Sequence, residues 1–288
     1  MEFDRGIPLH TAPPFRRLVL AIGLAATLAV TAACGPDAPS GPVEDAQDLE
    51  DAQGEPDTDT PDPDVPDPNA RPAPDELEVS EELQEVVAEV QSELPSGWQA
   101  TVVHDEQSGP YVLGVPAGAV TWQVGDHLGP VAEAAAGTNW SDFWIPRLEP
   151  LDPGTSNIRA VVVDADDEPR SIQVNVTPYD LDIPPDDAAA IGEAFTTVFQ
   201  AQGFAVHDAA VVSWTDTEVA EVRVSIPADV LPPGRDVRQR FYPQAQEGAL
   251  WSVQCDGPAA TEDPTDGRFD PALDDTCDAV LDAFRPPV

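Results

Sequence analysis

The sequence contains no lysine and one methionine, and its thirteen basic residues, all arginine, are outnumbered by 54 aspartates and glutamates. The formal net charge is -41 over 288 residues. Proteins hold nucleic acid through clustered lysine and arginine that release counterions from the phosphates, so this balance argues against a nucleic-acid partner. The same shortage argues against a polybasic face that would dock on anionic lipid.

One explanation of the acidic surplus is adaptation to salt. Residues 77–288 by themselves carry 38 acids and nine arginines, and a folded domain at that charge repels itself unless salt screens the repulsion. The absence of lysine and the abundance of aspartate resemble the composition of salt-adapted proteins. GC-rich codon bias in an acidic lineage explains them equally well, so both explanations stay open.

The N-terminus carries an apolar run that is too short to span a membrane. Residues 18–33 are sixteen residues without charge, about 24 Å as a helix against a hydrocarbon core of ~30 Å. The run follows Arg16 and Arg17 and ends in small residues, which is the pattern of a secretory signal peptide. We therefore predict a signal peptide over residues 1–33, and the arginine pair leaves both Sec and twin-arginine export open.

The end of this run resembles the lipobox of bacterial lipoproteins. It reads Val30-Thr31-Ala32-Ala33-Cys34, with Thr31 where leucine is usual. In a lipobox the cysteine thiol receives a diacylglyceryl group and the chain is cut before it. The resemblance implies that Cys34 is the lipidated N-terminus of the mature chain, anchored in the membrane by its acyl chains. The alternative is an ordinary cleavage site beside a free cysteine.

Residues 34–76 are predicted to be a linker. After Cys34 the segment contains ten prolines, fourteen acids, one arginine and no aromatic residue. Such a chain cannot bury enough apolar surface to offset the entropy of ordering, so we expect it to be disordered. Its repeated Pro-Asp steps favour an extended polyproline II chain, which would serve as a stalk or as a plain solvated spacer.

Residues 77–288 are predicted to form one α+β domain. Apolar periodicity predicts three helices, over residues 81–94, 186–202 and 270–284. Runs of β-branched and aromatic residues predict nine strands, over residues 100–104, 111–115, 119–124, 159–163, 171–176, 205–214, 220–226, 237–242 and 250–255. A meander of strands, interrupted by one helix and closed by another, describes an antiparallel sheet packed with helices. No element is predicted over residues 126–153.

Motifs at both ends of this domain resemble actinobacterial PsbP-like lipoproteins of the LpqN type. Val115-Pro116-Ala117-Gly118 stands near the start, and near the end the run 240–243 (Arg-Phe-Tyr-Pro) precedes the segments 248–255 and 277–285. The likeness is strongest from residue 186 onward. It implies a PsbP-like fold and a non-catalytic extracytoplasmic scaffold whose relatives act as assembly factors or binding proteins. It carries over no functional residue.

Two cysteines other than Cys34 lie in the domain. Cys255 falls on the last predicted strand and Cys277 on the inward face of the last helix. Thiols oxidise in exported proteins, so we predict a disulfide between them, with two buried thiols as the alternative. On the chain-entropy model a bridge of this loop length stabilises the fold by roughly 3 kcal/mol.

We find no catalytic or metal-binding motif. Gly-x-Ser-x-Gly, Ser-x-x-Lys and His-Glu-x-x-His are absent, and the acidic run 164–168 lacks the EF-hand pattern. We interpret the histidines as turn or surface residues because sequence neighbours on a strand point to opposite faces. Histidine has an aspartate neighbour three times, at His104-Asp105, Asp126-His127 and His207-Asp208. We therefore expect neither a cofactor, nor a metal, nor enzymatic activity.

Three aromatic rings occur within five residues, at Trp140, Phe143 and Trp144. Rings beside acidic residues suit a shallow ledge that binds sugar or peptide. They equally suit the core of a domain with six tryptophans and one methionine, which needs large side chains to fill it. We favour the core and keep the three residues as candidate ligand-binding residues.

Together these features predict an extracytoplasmic lipoprotein held to the cell membrane through Cys34. Its expected function is that of a non-catalytic interaction or assembly module with a protein partner in the envelope. One alternative is a solute- or glycan-binding lipoprotein that uses the aromatic residues. A second alternative is an envelope hydrolase, which would need an acid or histidine in a cleft beside a nucleophile.

Overall fold

The structure, a computed structural model, describes residues 80–164, 169–244 and 248–287. The predicted signal peptide, Cys34, the linker and residues 165–168 of the acidic turn lie outside the described residues.

The described residues form five helices and nine strands. The helices are α1 (Glu81–Glu93), α2 (Gly129–Ala134), α3 (Asn139–Leu148), α4 (Ala188–Ala201) and α5 (Pro271–Ala283). The strands are β1 (Trp98–Asp105), β2 (Gly109–Pro116), β3 (Val120–Gln123), β4 (Ile158–Asp164), β5 (Arg170–Pro178), β6 (Ala205–Trp214), β7 (Thr217–Ile226), β8 (Arg235–Gln244) and β9 (Ala249–Pro258). Each predicted helix and strand corresponds to one of these elements, and the α+β class with an antiparallel sheet is confirmed.

Helices α2 and α3 lie in the stretch 126–153, for which no element is predicted. The side chain of Thr138 caps α3, as the residue before a helix commonly does. Trp140, Trp144 and Leu148 recur at every fourth residue and are the buried residues of this helix. Pro146 obscured that pattern in the sequence, because proline normally ends or kinks a helix interior.

Seven strands form one antiparallel sheet in the order β3-β4-β5-β9-β8-β7-β6, and β1 and β2 form a separate hairpin. The centre of the sheet joins two strands that are distant in sequence, since β5 pairs with β9 from Ser171 opposite Asp256 to Pro178 opposite Ala249. This pairing brings the end of β5 beside the start of β9, where the cleft described below lies.

Helices cover both faces of the sheet. The hairpin, α1 and α5 cover one face, over a core that includes Tyr111, Trp251 and Phe284. On the opposite face, α2 and α3 pack over β3 and β4, and α4 packs over β6 and β7. Alternate residues of β4 and of β9 therefore contribute to cores on opposite faces of the sheet.

Helix α5 is joined covalently to the sheet. The sulfur atoms of Cys255 and Cys277 are 2.12 Å apart and both residues are fully buried, in agreement with the pairing that the sequence predicts. Beside them the hydroxyl of Tyr242 donates a hydrogen bond of 2.8 Å to the carbonyl of Leu281. The last helix and the last strands thus act as one packed unit.

Buried ion pairs reinforce the same contact. Arg238 and Arg240 of β8 each donate two hydrogen bonds to Glu221 of β7, and all three side chains are at most 5 % exposed. Burial alone would lower the pKa of Arg238, but the carboxylate of Glu221 raises it above its ordinary value. The two arginines also reach three carboxylates spaced by one helical turn on α5, those of Asp274, Asp278 and Asp282.

Candidate functional site

A cleft of about 820 Å³ opens between the tip of the hairpin and one end of the sheet. Its volume falls in the range of small-ligand sites. Four segments that are distant in sequence line it, namely residues 107–109, residues 154–157 with Arg159, residues 176–178, and residues 248, 249 and 251.

The hairpin side of the cleft is shaped by Asp105. Its Oδ1 accepts hydrogen bonds from the backbone N–H groups of Gln107 and Ser108 at 2.8 and 3.2 Å. An aspartate that bonds the backbone two residues on fixes a tight turn, and Gly109 completes the turn with a φ of 82° that favours glycine. The turn places the side chains of Gln107 and Ser108 on the wall of the cleft.

The loop before β4 forms the facing wall and is held by its own hydrogen bonds. Asp152 accepts from the N–H of Gly154 at 2.7 Å, and the hydroxyl of Ser156 accepts from the N–H of Ile158 at 3.0 Å. The N–H of Val176 donates to the carbonyl of Asn157 at 2.8 Å, which fastens the loop to β5. The backbone of this wall is therefore fixed, while its side chains line the cleft.

An ion pair lies where the two walls meet. Nε of Arg159 is 3.3 Å from Oδ2 of Asp105, and the two side chains are 9 % and 7 % exposed. Nη1 of Arg159 also donates to the carbonyl of Pro153 at 3.0 Å. Because each charge has its opposite at contact distance, the cleft carries no net charge at this point.

A buried tyrosine hydroxyl lies close to this pair. Tyr111 is fully buried and its hydroxyl makes no hydrogen bond. Burial raises its pKa well above the ordinary value, the carboxylate of Asp105 raises it further, and Arg159 opposes the rise. The ring packs edge-on against Trp251, which lines the cleft, with the ring centroids 5.1 Å apart. Buried polar groups normally have partners, so this hydroxyl needs an explanation.

The lining of the cleft is polar but almost free of charge. Of its fourteen residues one, Arg159, is charged, and none is an aspartate, glutamate or histidine, although 54 of the 288 residues of the chain are acidic. Five uncharged polar side chains of the lining form no hydrogen bond to another described residue, those of Gln107, Ser108, Thr155, Asn157 and Thr177. These groups are available to a ligand. Sequence analysis missed all of them, because they come from separate turns and strand ends.

The aromatic residues predicted as candidate ligand-binding residues lie elsewhere, in α3. Trp140 and Trp144 are 2 % and 5 % exposed and belong to the core between α3 and the sheet. Phe143 is half-buried, and the guanidinium of Arg147 lies over its ring at 3.7 Å from the centroid. The favoured interpretation, core packing, holds for the two tryptophans, which lie against β3 and β4. The alternative of an open aromatic ledge does not fit, because Arg147 also covers the ring of Phe143.

Trp140 has a structural partner inside the protein. Its indole Nε1–H donates to the hydroxyl of Ser171 at 3.0 Å, and that hydroxyl donates to Asp256 at 2.8 Å. Nε of Arg235 donates to the other oxygen of Asp256 at 2.9 Å. The indole therefore ends a buried polar chain that ties α3 to the central strands.

The histidines occupy regular structure more than expected. His104 lies in β1 and His207 in β6, both half-buried, while His127 precedes α2 and accepts from the N–H of Gly129. These positions correct the interpretation as turn or surface residues for His104 and His207, whereas His127 is exposed in the loop before α2, as predicted. His104 pairs with Pro110 of β2 within the hairpin. His207 is held by its contact with Ser225 and by Phe269, whose ring packs edge-on against it with the centroids 5.7 Å apart.

His207 contacts a serine that in turn contacts an aspartate. Nε2 of His207 is 2.9 Å from the hydroxyl of Ser225, which donates to Asp236 at 2.6 Å. In a serine hydrolase the histidine lies between the serine and the acid, and takes the proton from the serine. Here the serine lies in the middle, and Ser225 and Asp236 are 4 % and 2 % exposed. This order of contacts builds a structural link between strands.

None of the helices in the described part of the chain is both long enough and apolar enough to cross a membrane.

Comparison with known proteins found similarity among solved structures. No family model matches the chain, and no curated protein matches it. Among solved structures, the chain is similar to LpqN, described as involved in cell envelope biogenesis of Mycobacterium tuberculosis. The identity is 17 % and the TM-score 0.33, over 68 % of this chain and 90 % of that one. Membership of the PsbP-like family stays a prediction.

Proposed function

We propose that this chain is a lipid-anchored, extracytoplasmic interaction module of the cell envelope that binds its partner without catalysis. The observation that carries the binding function is the cleft, whose lining includes five uncharged polar side chains that have no hydrogen-bonding partner among the described residues. Pockets with a few convergent polar groups are the usual form of a binding site.

The disulfide supports an extracytoplasmic location. Bonds such as Cys255–Cys277 persist in oxidising compartments and are rare where thiols are kept reduced. The anchor rests on the sequence pattern before Cys34. A domain on such an anchor meets its partners at the membrane surface, within reach of its linker.

Binding without catalysis fits the groups found at the cleft. Acid–base catalysis needs a side chain that can exchange a proton near the substrate. The lining offers the guanidinium of Arg159, which is held by Asp105 and Pro153, together with hydroxyl and amide side chains. Asp105, the nearest carboxylate, is occupied by Arg159 and by two backbone N–H groups.

A crosslinked pull-down of the lipidated full chain from native membranes tests this proposal, with intact-mass measurement of the bait. We expect a stoichiometric protein partner and a bait mass that includes the acyl groups. A bait that carries its lipid but no partner would contradict the proposed interaction function. A Cys34→Ser variant that still partitions into membranes with its acyl mass intact would contradict anchoring through Cys34.

A further inference from the structure

We propose that the cleft recognises an uncharged peptide segment of its partner. This inference rests on the proposed function and names the chemistry of the partner at that site. Three features of the cleft carry it: the neutral lining, the free hydrogen-bonding side chains, and the absence of an open aromatic face among the lining residues.

The charge of the lining selects against charged ligands. A charged group that enters a cleft loses hydration and needs an opposite charge in return. Among the described residues of the lining, Arg159 is the one that is charged, and it already contacts Asp105 at 3.3 Å. The surface around the cleft belongs to a chain of net charge -41, which repels anions and holds cations at its many exposed carboxylates. An uncharged segment enters at the smallest cost.

The hydrogen-bonding groups match a peptide backbone. Gln107 and Asn157 stand on facing walls and each offers an amide N–H donor and a carbonyl acceptor. A peptide presents the same two groups at every residue. At Gly248, which also lines the cleft, a Cβ would meet no atom of another described residue within 4 Å, so a main chain can approach those residues closely there. Val176 and Ala249 supply apolar surface beside it.

The aromatic geometry favours a peptide over a sugar. Sugar rings bind by laying their C–H faces on an exposed aromatic ring, as well as by hydrogen bonds. Trp251, the aromatic residue of the lining, is 0 % exposed because Tyr111 and Phe284 pack around it, with ring centroids 5.1 and 5.8 Å from its own. It offers an edge to the cleft and no free face.

Affinity selection tests the inference directly. The full chain in detergent is incubated with three pools of terminally capped tetrapeptides. The first pool contains only uncharged residues, the second includes one glutamate in each peptide, and the third includes one arginine. A neutral trisaccharide, maltotriose, is added as a fourth probe. Bound ligands are separated by size exclusion and quantified by mass. We expect members of the uncharged pool to be retained at least tenfold more than members of the glutamate and arginine pools, with maltotriose not retained.

Two matched variants locate the binding. Gln107→Glu removes an amide donor from the wall and adds a charge, so it should reduce retention of the uncharged peptides at least fivefold. Gln200→Glu makes the same substitution on α4, at an exposed position on the opposite face of the sheet, and should leave retention unchanged.

Each other outcome overturns the inference. Equal retention by Gln107→Glu and the unchanged chain would place binding outside the cleft, and preferential retention of maltotriose would assign the cleft to sugars. If a partner crosslinks to the chain in membranes but no pool is retained, the peptide assignment fails and the proposed function stands. If no partner crosslinks either, both fail.

Discussion

Arg159 of β4 and Asp105 of β1 form a buried ion pair, with Nε and Oδ2 3.3 Å apart. The pair joins the two-stranded hairpin to the seven-stranded sheet. It also neutralises Arg159, the charged residue among the described residues of the cleft lining. One contact thus links the two walls and balances the charge between them.

Removal of the hydroxyl should affect the free energy of unfolding differently at the two buried tyrosines of the core. In Tyr111→Phe we expect the free energy of unfolding to stay unchanged or rise by up to about 1 kcal/mol, because the lost hydroxyl is buried without a partner. In Tyr242→Phe we expect a loss of about 1 kcal/mol, because the hydroxyl donates to Leu281. Urea unfolding at neutral pH measures both free energies. A larger loss in Tyr111→Phe than in Tyr242→Phe would contradict the hydrogen bonding described for the two hydroxyls.

The same tyrosines should limit stability in alkali. Burial raises the pKa of Tyr111 and Tyr242 above the ordinary value of about 10. The folded state therefore favours the protonated hydroxyls, which contributes stability that is complete below about pH 10 and is lost as the pH rises toward the folded-state pKa values. The melting temperature of a Tyr111→Phe/Tyr242→Phe variant should fall less between about pH 9 and pH 11 than that of the unchanged chain. If the melting temperatures of the two proteins fall equally over this range, ionisation of these tyrosines is not what limits stability in alkali.

Glu221 should matter far more to stability than Asp282, although both contact Arg240. Glu221→Gln leaves two buried arginines without their shared carboxylate and should cost on the order of 3–5 kcal/mol. Asp282 is 67 % exposed, so Asp282→Asn should cost less than about 1 kcal/mol. Denaturant unfolding of the two variants gives the comparison, and similar losses would contradict the greater weight assigned to the buried carboxylate.

These buried charges mark the limit of what the sequence predicts. The strand 237–242 is evident from its β-branched and aromatic residues, and the structure confirms it within β8. The pattern alone would assign Arg238 and Arg240 to a solvent-facing side, since charged residues are rarely buried unless paired. Only the register of β7 against β8 and the approach of α5 supply their partners.

The cleft lay beyond sequence reasoning for a related reason. Its walls come from four segments, and they meet because β5 pairs with β9, about seventy residues later in the chain. Turns such as 107–109 and 154–157 have no apolar periodicity, so nothing local marks them as a site. The aromatic cluster of α3 had the stronger local signal, and that signal reported core packing.

Salt dependence distinguishes the two explanations of the acidic surplus. If the composition reflects adaptation to salt, the melting temperature of the full chain should rise between dilute buffer and molar NaCl, where the Debye length falls to ~3 Å. An equal osmolality of sucrose does not screen charge and serves as the control. A flat or falling curve in NaCl, or an equal gain in sucrose, would leave codon bias as the explanation.

The most direct test of the account is a position-resolved crosslink in native membranes. A photoreactive amino acid replaces Thr155, an exposed residue of the cleft lining, or Gln200, an exposed residue of α4 on the other face of the sheet. We predict that the full chain crosslinks one protein partner from position 155 and not from position 200. The segment of the partner around the crosslinked residue should contain no charged side chain. Crosslinking from position 200 alone, or equally from both positions, would contradict the assignment of the cleft as the binding site.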